Sequence, residues 1–187
     1  MKISIQKCPV PANTILEDYS INGAYADCYR TQVPGRVVLS EFIFAFYTTQ
    51  LFKLERWILK LTAAKPSTDM QARQLAEGVM SEFAAWHVED RRENELLMRD
   101  FRGQTRSWLM VVPVKTGNGD RTQLYFGSAV VPIRNAKTGE LALGSGYQIV
   151  LGFHKVYSML LLYSSGQRIQ HRARHARNGN HPGKMEI

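Results

Sequence analysis

The order of hydrophobic periods along this chain limits its fold more than any motif does. A strand-like opening over 24–33 gives way to two helical segments, then to a run of strand-like segments, and last to one apolar helix near the C-terminus. Strands joined by short connections pair as antiparallel hairpins, because a parallel neighbour needs a crossover of about a dozen residues. The expected fold class is therefore α+β: an antiparallel sheet with two helices after the first strand and a long C-terminal helix packed on the sheet. Such an arrangement often encloses space for a small molecule.

The individual segments carry this order. Ala24 to Val33 (AYADCYRTQV) lies between Asn22-Gly23 and Pro34-Gly35, as a strand between turns does. From Ser40 to Leu61 the residues Ile43, Tyr47, Leu51, Leu54, Ile58 and Leu61 recur every three or four positions, which is a helical period. Ser40 is the expected cap, and the Thr48-Thr49 pair is the expected break. Phe42, Phe44, Phe46, Phe52 and Trp57 thicken the apolar side. Pro66 ends the run, and Thr68 to Gln71 has capping-box spacing before a short helix through about Met80. Strands are expected over Phe83–Arg91, Glu95–Asp100, Gln104–Lys115 and Arg121–Arg134, and the closing helix over Gly146–Ser164. That helix is nearly bilayer length, but His154 and Lys155 sit mid-way along it. A charge there costs roughly 2.5–3.5 kcal/mol on insertion scales, so a core helix is expected and no membrane span.

At 187 residues the chain fits one domain with room for a real core. The expected division is a folded domain over 1–166 and a basic flexible tail over 167–187. The tail holds Arg168, Arg172, Arg174, Arg177 and Lys184 against Glu186, half of the net charge of +8. Concentrated in a solvated tail, that charge does not make the fold a nucleic-acid binder. Cys8 and Cys28, twenty residues apart without a CxxC pattern, read as two free thiols of a reducing, cytoplasmic compartment, a single disulfide being the alternative. The opening residues lack the apolar core of a secretory signal.

The stretches YADCYR, FYTTQLFKLERWILKL, GQTRSWLMVVPV, LYFGSAVVP and LGFHKVYSMLLL together resemble an uncharacterised bacterial domain family near the helix-grip superfamily of START, polyketide-cyclase and birch-pollen-allergen domains. The resemblance runs from about Tyr25 to Tyr163. It implies binding of a small hydrophobic or amphipathic molecule between sheet and C-terminal helix, and it brings no catalytic residues and no cofactor.

Residues suited to such a cavity are Arg106 and Trp108 on one strand, Trp86 and Tyr125 on its neighbours, and His154 and Tyr157 on the last helix. An arginine beside an indole can hold an anionic head while the ring meets an apolar body. His154 is the one proton carrier in reach, so a cyclase- or dehydratase-type enzyme using His154, with Arg106 polarising an oxygen, is the alternative. The carboxylates Glu82, Glu89, Asp90, Glu93, Glu95 and Asp100 alternate with arginines and read as a solvated hairpin. No phosphate-binding loop, nucleophile elbow or metal-ligand spacing is present. The apolar excess of Phe42–Leu61 also points to a homodimer interface, since Phe44, Phe52 and Leu59 fall outside the main stripe.

Overall fold

The computed structural model describes residues 3–54, 67–117, 119–134, 141–142 and 147–179, and the side chains of 133–134, 141–142, 147–154 and 175–179 lie outside that description. Within it the chain is α+β, with seven antiparallel strands in one open sheet and a long C-terminal helix lying on it. In chain order these are β1 (Gln6–Lys7), α1 (Ile15–Ile21), β2 (Tyr25–Pro34), α2 (Leu39–Tyr47), α3 (Asp69–Ala76), β3 (Glu82–Phe83), β4 (Trp86–Arg91), β5 (Glu95–Asp100), β6 (Thr105–Thr116) and β7 (Gly119–Val130). A separate hairpin of β8 (Ile133–Arg134) and β9 (Leu141–Ala142) follows, and α4 (Tyr147–Gly179) ends the chain's described part. The strand order is β1-β2-β7-β6-β5-β4-β3, so the first long strand closes against the last. Among the described residues no helix is long and apolar enough to cross a membrane.

Both faces of the sheet are covered, which is why β6 shows little polar alternation. One face carries Tyr29, Val33, Leu96, Met98, Leu109, Val111, Leu124 and Phe126 and packs against α2, α3 and α4. The opposite face carries Cys28, Leu97, Trp108, Met110 and Ala129 and is covered by Ile15 and Leu16 of α1.

Helix α2 stops where the threonine pair predicts. The hydroxyls of Thr48 and Thr49 donate to the carbonyls of Phe44 and Phe46, at 2.5 and 3.0 Å, and compete with continuation of the helix. Thr49 Oγ1 then accepts from the Phe52 amide at 3.1 Å and caps the helical turn over 50–54. The cap at the start of α2 differs from expectation. Ser40 lies inside the first turn, and the Glu41 carboxylate instead reaches back to the Val38 amide at 3.1 Å. The capping box of α3 is present, with Thr68 and Gln71 exchanging bonds of 2.8 and 3.2 Å, but the helix ends at Ala76 rather than Met80.

Two further expectations are corrected. The last helix does not fray after Ser164; it continues to Gly179, across the boundary drawn between 166 and 167. Ile169 stands eight residues after Leu161, and with Leu162 and Ser165 it prolongs the buried stripe by two turns. Gly166 has its place on that stripe because a Cβ there would come within 2.9 Å of Ile3 Cδ1, so the N-terminal segment lies directly on the helix. Much of the apolar excess over 42–54 is likewise covered within the chain, although Leu54 is exposed. Phe42, Phe46, Tyr47 and Phe52 are all buried; Phe42 meets Phe46 edge-on, Phe46 tilts against Phe126, Tyr47 meets Phe83 edge-on and Phe52 stacks on Phe83. Phe52 is thus a core residue and not an interface residue; positions 55–61 lie outside the described residues.

Candidate functional site

The six residues expected to line one cavity do not share one face. Trp86 and Tyr157 pack on the side covered by α4, whereas Trp108 and Tyr125 pack on the opposite side, under α1. Arg106 has the same parity along β6 as Trp108 and points the same way. Consequently Trp108 and Tyr125 do not face the helix that carries His154 and Tyr157. The side chain of His154 lies outside the described residues.

The polar partners of Arg106 and Trp108 explain their positions. Arg106 Nε lies 2.8 Å from Glu89 Oε2 and donates to the Tyr19 hydroxyl at 3.0 Å, Nη1 donates to the Gly103 carbonyl at 2.8 Å, and Tyr19 OH bonds the other Glu89 oxygen. The guanidinium also sits over the Tyr19 ring, 4.9 Å from its centre. Glu89 follows the alternation of β4 onto the face of Arg106, and the bulge between Val88 and Asp90 turns Asp90, opposite Leu97, to that same face. The indole N–H of Trp108 donates to Glu95 Oε2 at 2.8 Å, and the same oxygen accepts the Ile15 amide at 3.0 Å. Glu95 is buried, so the reading of the carboxylates as a solvated set fails for it, and the Glu89 carboxylate is engaged by Arg106. These groups fasten α1 to the sheet.

Beneath α4 a polar row crosses the sheet. Asp27, Ser128 and Ser107 stand abreast on β2, β7 and β6, all buried. Ser128 Oγ donates to Asp27 Oδ1 at 2.5 Å, while Asp27 Oδ2 and the buried Ser158 Oγ of α4 have no hydrogen-bond partner. Burial, and then the Asp27 charge, push the neighbouring Tyr29 phenol up to about 12. Because its folded value lies above the ordinary value of 10.0, Tyr29 supports the fold below about pH 10 and withdraws that support between about pH 10 and 12. Urea titrations across that window are expected to show a steeper loss for the wild type than for Tyr29→Phe, by up to about 1.4 kcal/mol per pH unit. Tyr25 and Cys28, which are also raised, remain in both proteins, so the difference reads Tyr29 together with its coupling to them.

A different site forms where α4 passes the corner between β2 and α2. A cleft of about 370 Å³ is walled by Pro34, Gly35, Val37, Ile169 and Ala173 and carries Arg36, Arg172, Arg174, Glu41 and Gln170. Gln170 is only 8% exposed, and its Nε2 has no hydrogen-bond partner. Arg172 and Arg73 both lie over the Phe44 ring, 4.8 and 5.0 Å from its centre. Burial first, then Arg168 and Arg73, lower the Arg172 pKa from its ordinary value, and Glu41 offsets part of this. Arg168 Nε, one turn earlier, is buried without a partner. The cleft thus sets three exposed arginines beside an amide donor with nothing to bond.

The sequence gives no direct signal for this cleft, because Arg172 and Arg174 read as tail. The usable signal is the spacing of Leu161, Ser165 and Ile169, which continues the helix and brings Arg172 back to the sheet corner. Among the described residues no group of histidine, cysteine, aspartate or glutamate side chains is placed to hold a metal ion. By its fold this is an α+β protein with an open seven-stranded sheet, and the cleft is built of cations and apolar wall. Comparison with family models, with curated proteins and with solved structures gives no match.

Proposed function

We propose that this protein binds a small amphipathic molecule with an anionic head, in the cleft between the C-terminal helix and the β2–α2 corner. The observation that carries the reading is the buried Gln170 amide nitrogen, unpartnered, in a cleft that has three arginines against one glutamate. A buried donor left unmet costs roughly 1–3 kcal/mol, and an anionic oxygen removes that cost with a charge-assisted bond. Arg172 and Arg174 follow Gln170 along α4, and Arg36 comes from the facing corner, so an anion would be met from both sides. Pro34, Val37, Ile169 and Ala173 supply the apolar wall for the remainder of the molecule.

Titration calorimetry with octyl phosphate, octanoate and octanol separates the head from the tail. Binding of the two anions, and not of the alcohol, is the expected result, with affinity falling as salt rises. Gln170→Leu and Arg172→Gln should each weaken octyl phosphate by about tenfold or more, the worth of one charge-assisted bond. Equal affinity for octanol, or an unchanged affinity in both variants, would remove the reading.

A further inference from the structure

We propose that Cys8 and Cys28 are a modification site: they form a reversible intramolecular disulfide by exchange with a small-molecule disulfide of the glutathione type. The two sulfur atoms lie 3.4 Å apart. Their backbones are already held in register, since Gln6 and Lys7 pair with Arg30 and Tyr29, and the Cys8 amide donates to the Cys28 carbonyl at 2.9 Å. Directly opposite residues of an antiparallel pair have Cα atoms about 4.5–5.5 Å apart, inside the range a disulfide spans. Bond formation therefore asks for a side-chain rotation and no movement of the fold.

The two thiols differ in access, and that difference sets the order of events. Cys8 is half-buried at a cleft lined by Lys7, Pro9, Val10, Glu17, Ser20 and Asp27, among others. Cys28 is fully buried, and burial together with the adjacent Cys8 sulfur pushes its thiol well above the ordinary value. Cys8, as its thiolate, attacks one sulfur of the small disulfide; that S–S bond breaks and the released thiolate takes up the proton that Cys8 lost. The Cys28 thiol then loses its proton and its sulfur attacks Cys8 Sγ, forming the protein disulfide and expelling the second small thiolate, which takes up that proton. Two protein thiols are oxidised by two electrons, and one small disulfide is reduced to two thiols.

The product staples the N-terminal segment to the sheet. That segment also bears on α4 through Ile3 at Gly166, one turn before the Gln170 cleft. The test is to incubate the full chain with oxidised glutathione at about pH 8.5, where thiolate is plentiful. It is then quenched with acid, unfolded and treated with maleimide, and intact masses are read. The wild type should lose two hydrogen atoms, take up no maleimide and form no disulfide between chains, and dithiothreitol should restore two reactive thiols. Cys28→Ser should stop at one glutathione on Cys8, and Cys8→Ser should leave Cys28 unmodified while folded. Oxidised wild type should melt several degrees higher, as expected for a loop of this length. Wild type that halts with glutathione on Cys8, that keeps two maleimide-reactive thiols, or that links between chains would overturn the proposal.

Discussion

Glu95→Ala is expected to cost about 3–4 kcal/mol of stability, a large share of what a domain of this kind possesses. Three donors converge on this one buried carboxylate. Oε2 accepts the Trp108 indole N–H at 2.8 Å and the Ile15 amide at 3.0 Å, and Oε1 meets Arg92 Nη1 at 3.5 Å. Ile15 is the first residue of α1, and Thr14 before it makes no side-chain cap bond. Glu95 thus caps a helix from 80 residues away while holding the largest side chain of the core. Truncation leaves two buried N–H groups unmet, each worth roughly 1–3 kcal/mol, and the Arg92 pair adds little because Arg92 is exposed. Glu95→Gln keeps an acceptor and should lose about half as much. Urea unfolding followed by Trp fluorescence reads both. A loss below about 1 kcal/mol for the alanine variant would mean that α1 is held by something else.

Gly127→Ala is expected to cost about 1–3 kcal/mol although it adds one methyl group to a strand. Gly127 lies between Cys28 and Trp108 in the row beneath α1. A Cβ there would come to 2.4 Å from Leu16 Cδ2 and 3.0 Å from both the Asp27 carbonyl oxygen and Trp108 Cε3. The leucine tip can yield, but the backbone oxygen is fixed by the β2–β7 ladder. Leu16→Ala removes the nearest obstruction. In a double-mutant cycle the pair should therefore cost less than the sum of the singles, with a coupling of about 0.5 kcal/mol or more. Strict additivity would show that Leu16 does not rest on Gly127.

The sequence makes the helices and strands readable where chemistry is local. The Thr48-Thr49 break and the Thr68–Gln71 box act within four residues, and each lies where the pattern puts it. The face on which a side chain lands relative to a distant helix is not local. Trp108 and Tyr157 are both plausible cavity residues in one dimension, and only the docking of α1 on the second face separates them. Helix α1 is seven residues long with two buried positions, too short to show a period. Glu95 is indistinguishable in sequence from its charged neighbours; it is buried where α1 arrives from the other end of the chain and sets Ile15 on it. The arginine cleft was hidden for a related reason, since its residues join only once α4 runs on past Ser164.

The two ends of the sheet govern how this chain behaves in a crowd. An outermost strand with many free amides and carbonyls is a template on which another chain can add itself. Here the outermost strands, β1 and β3, are two residues each, and the strand beside β3 is bulged at Glu89 and carries His87, Glu89, Asp90 and Arg91. A newcomer finds too short a ledge on either side and meets charge where it would need flat backbone. Growth by strand addition is thereby discouraged at both edges of the described sheet.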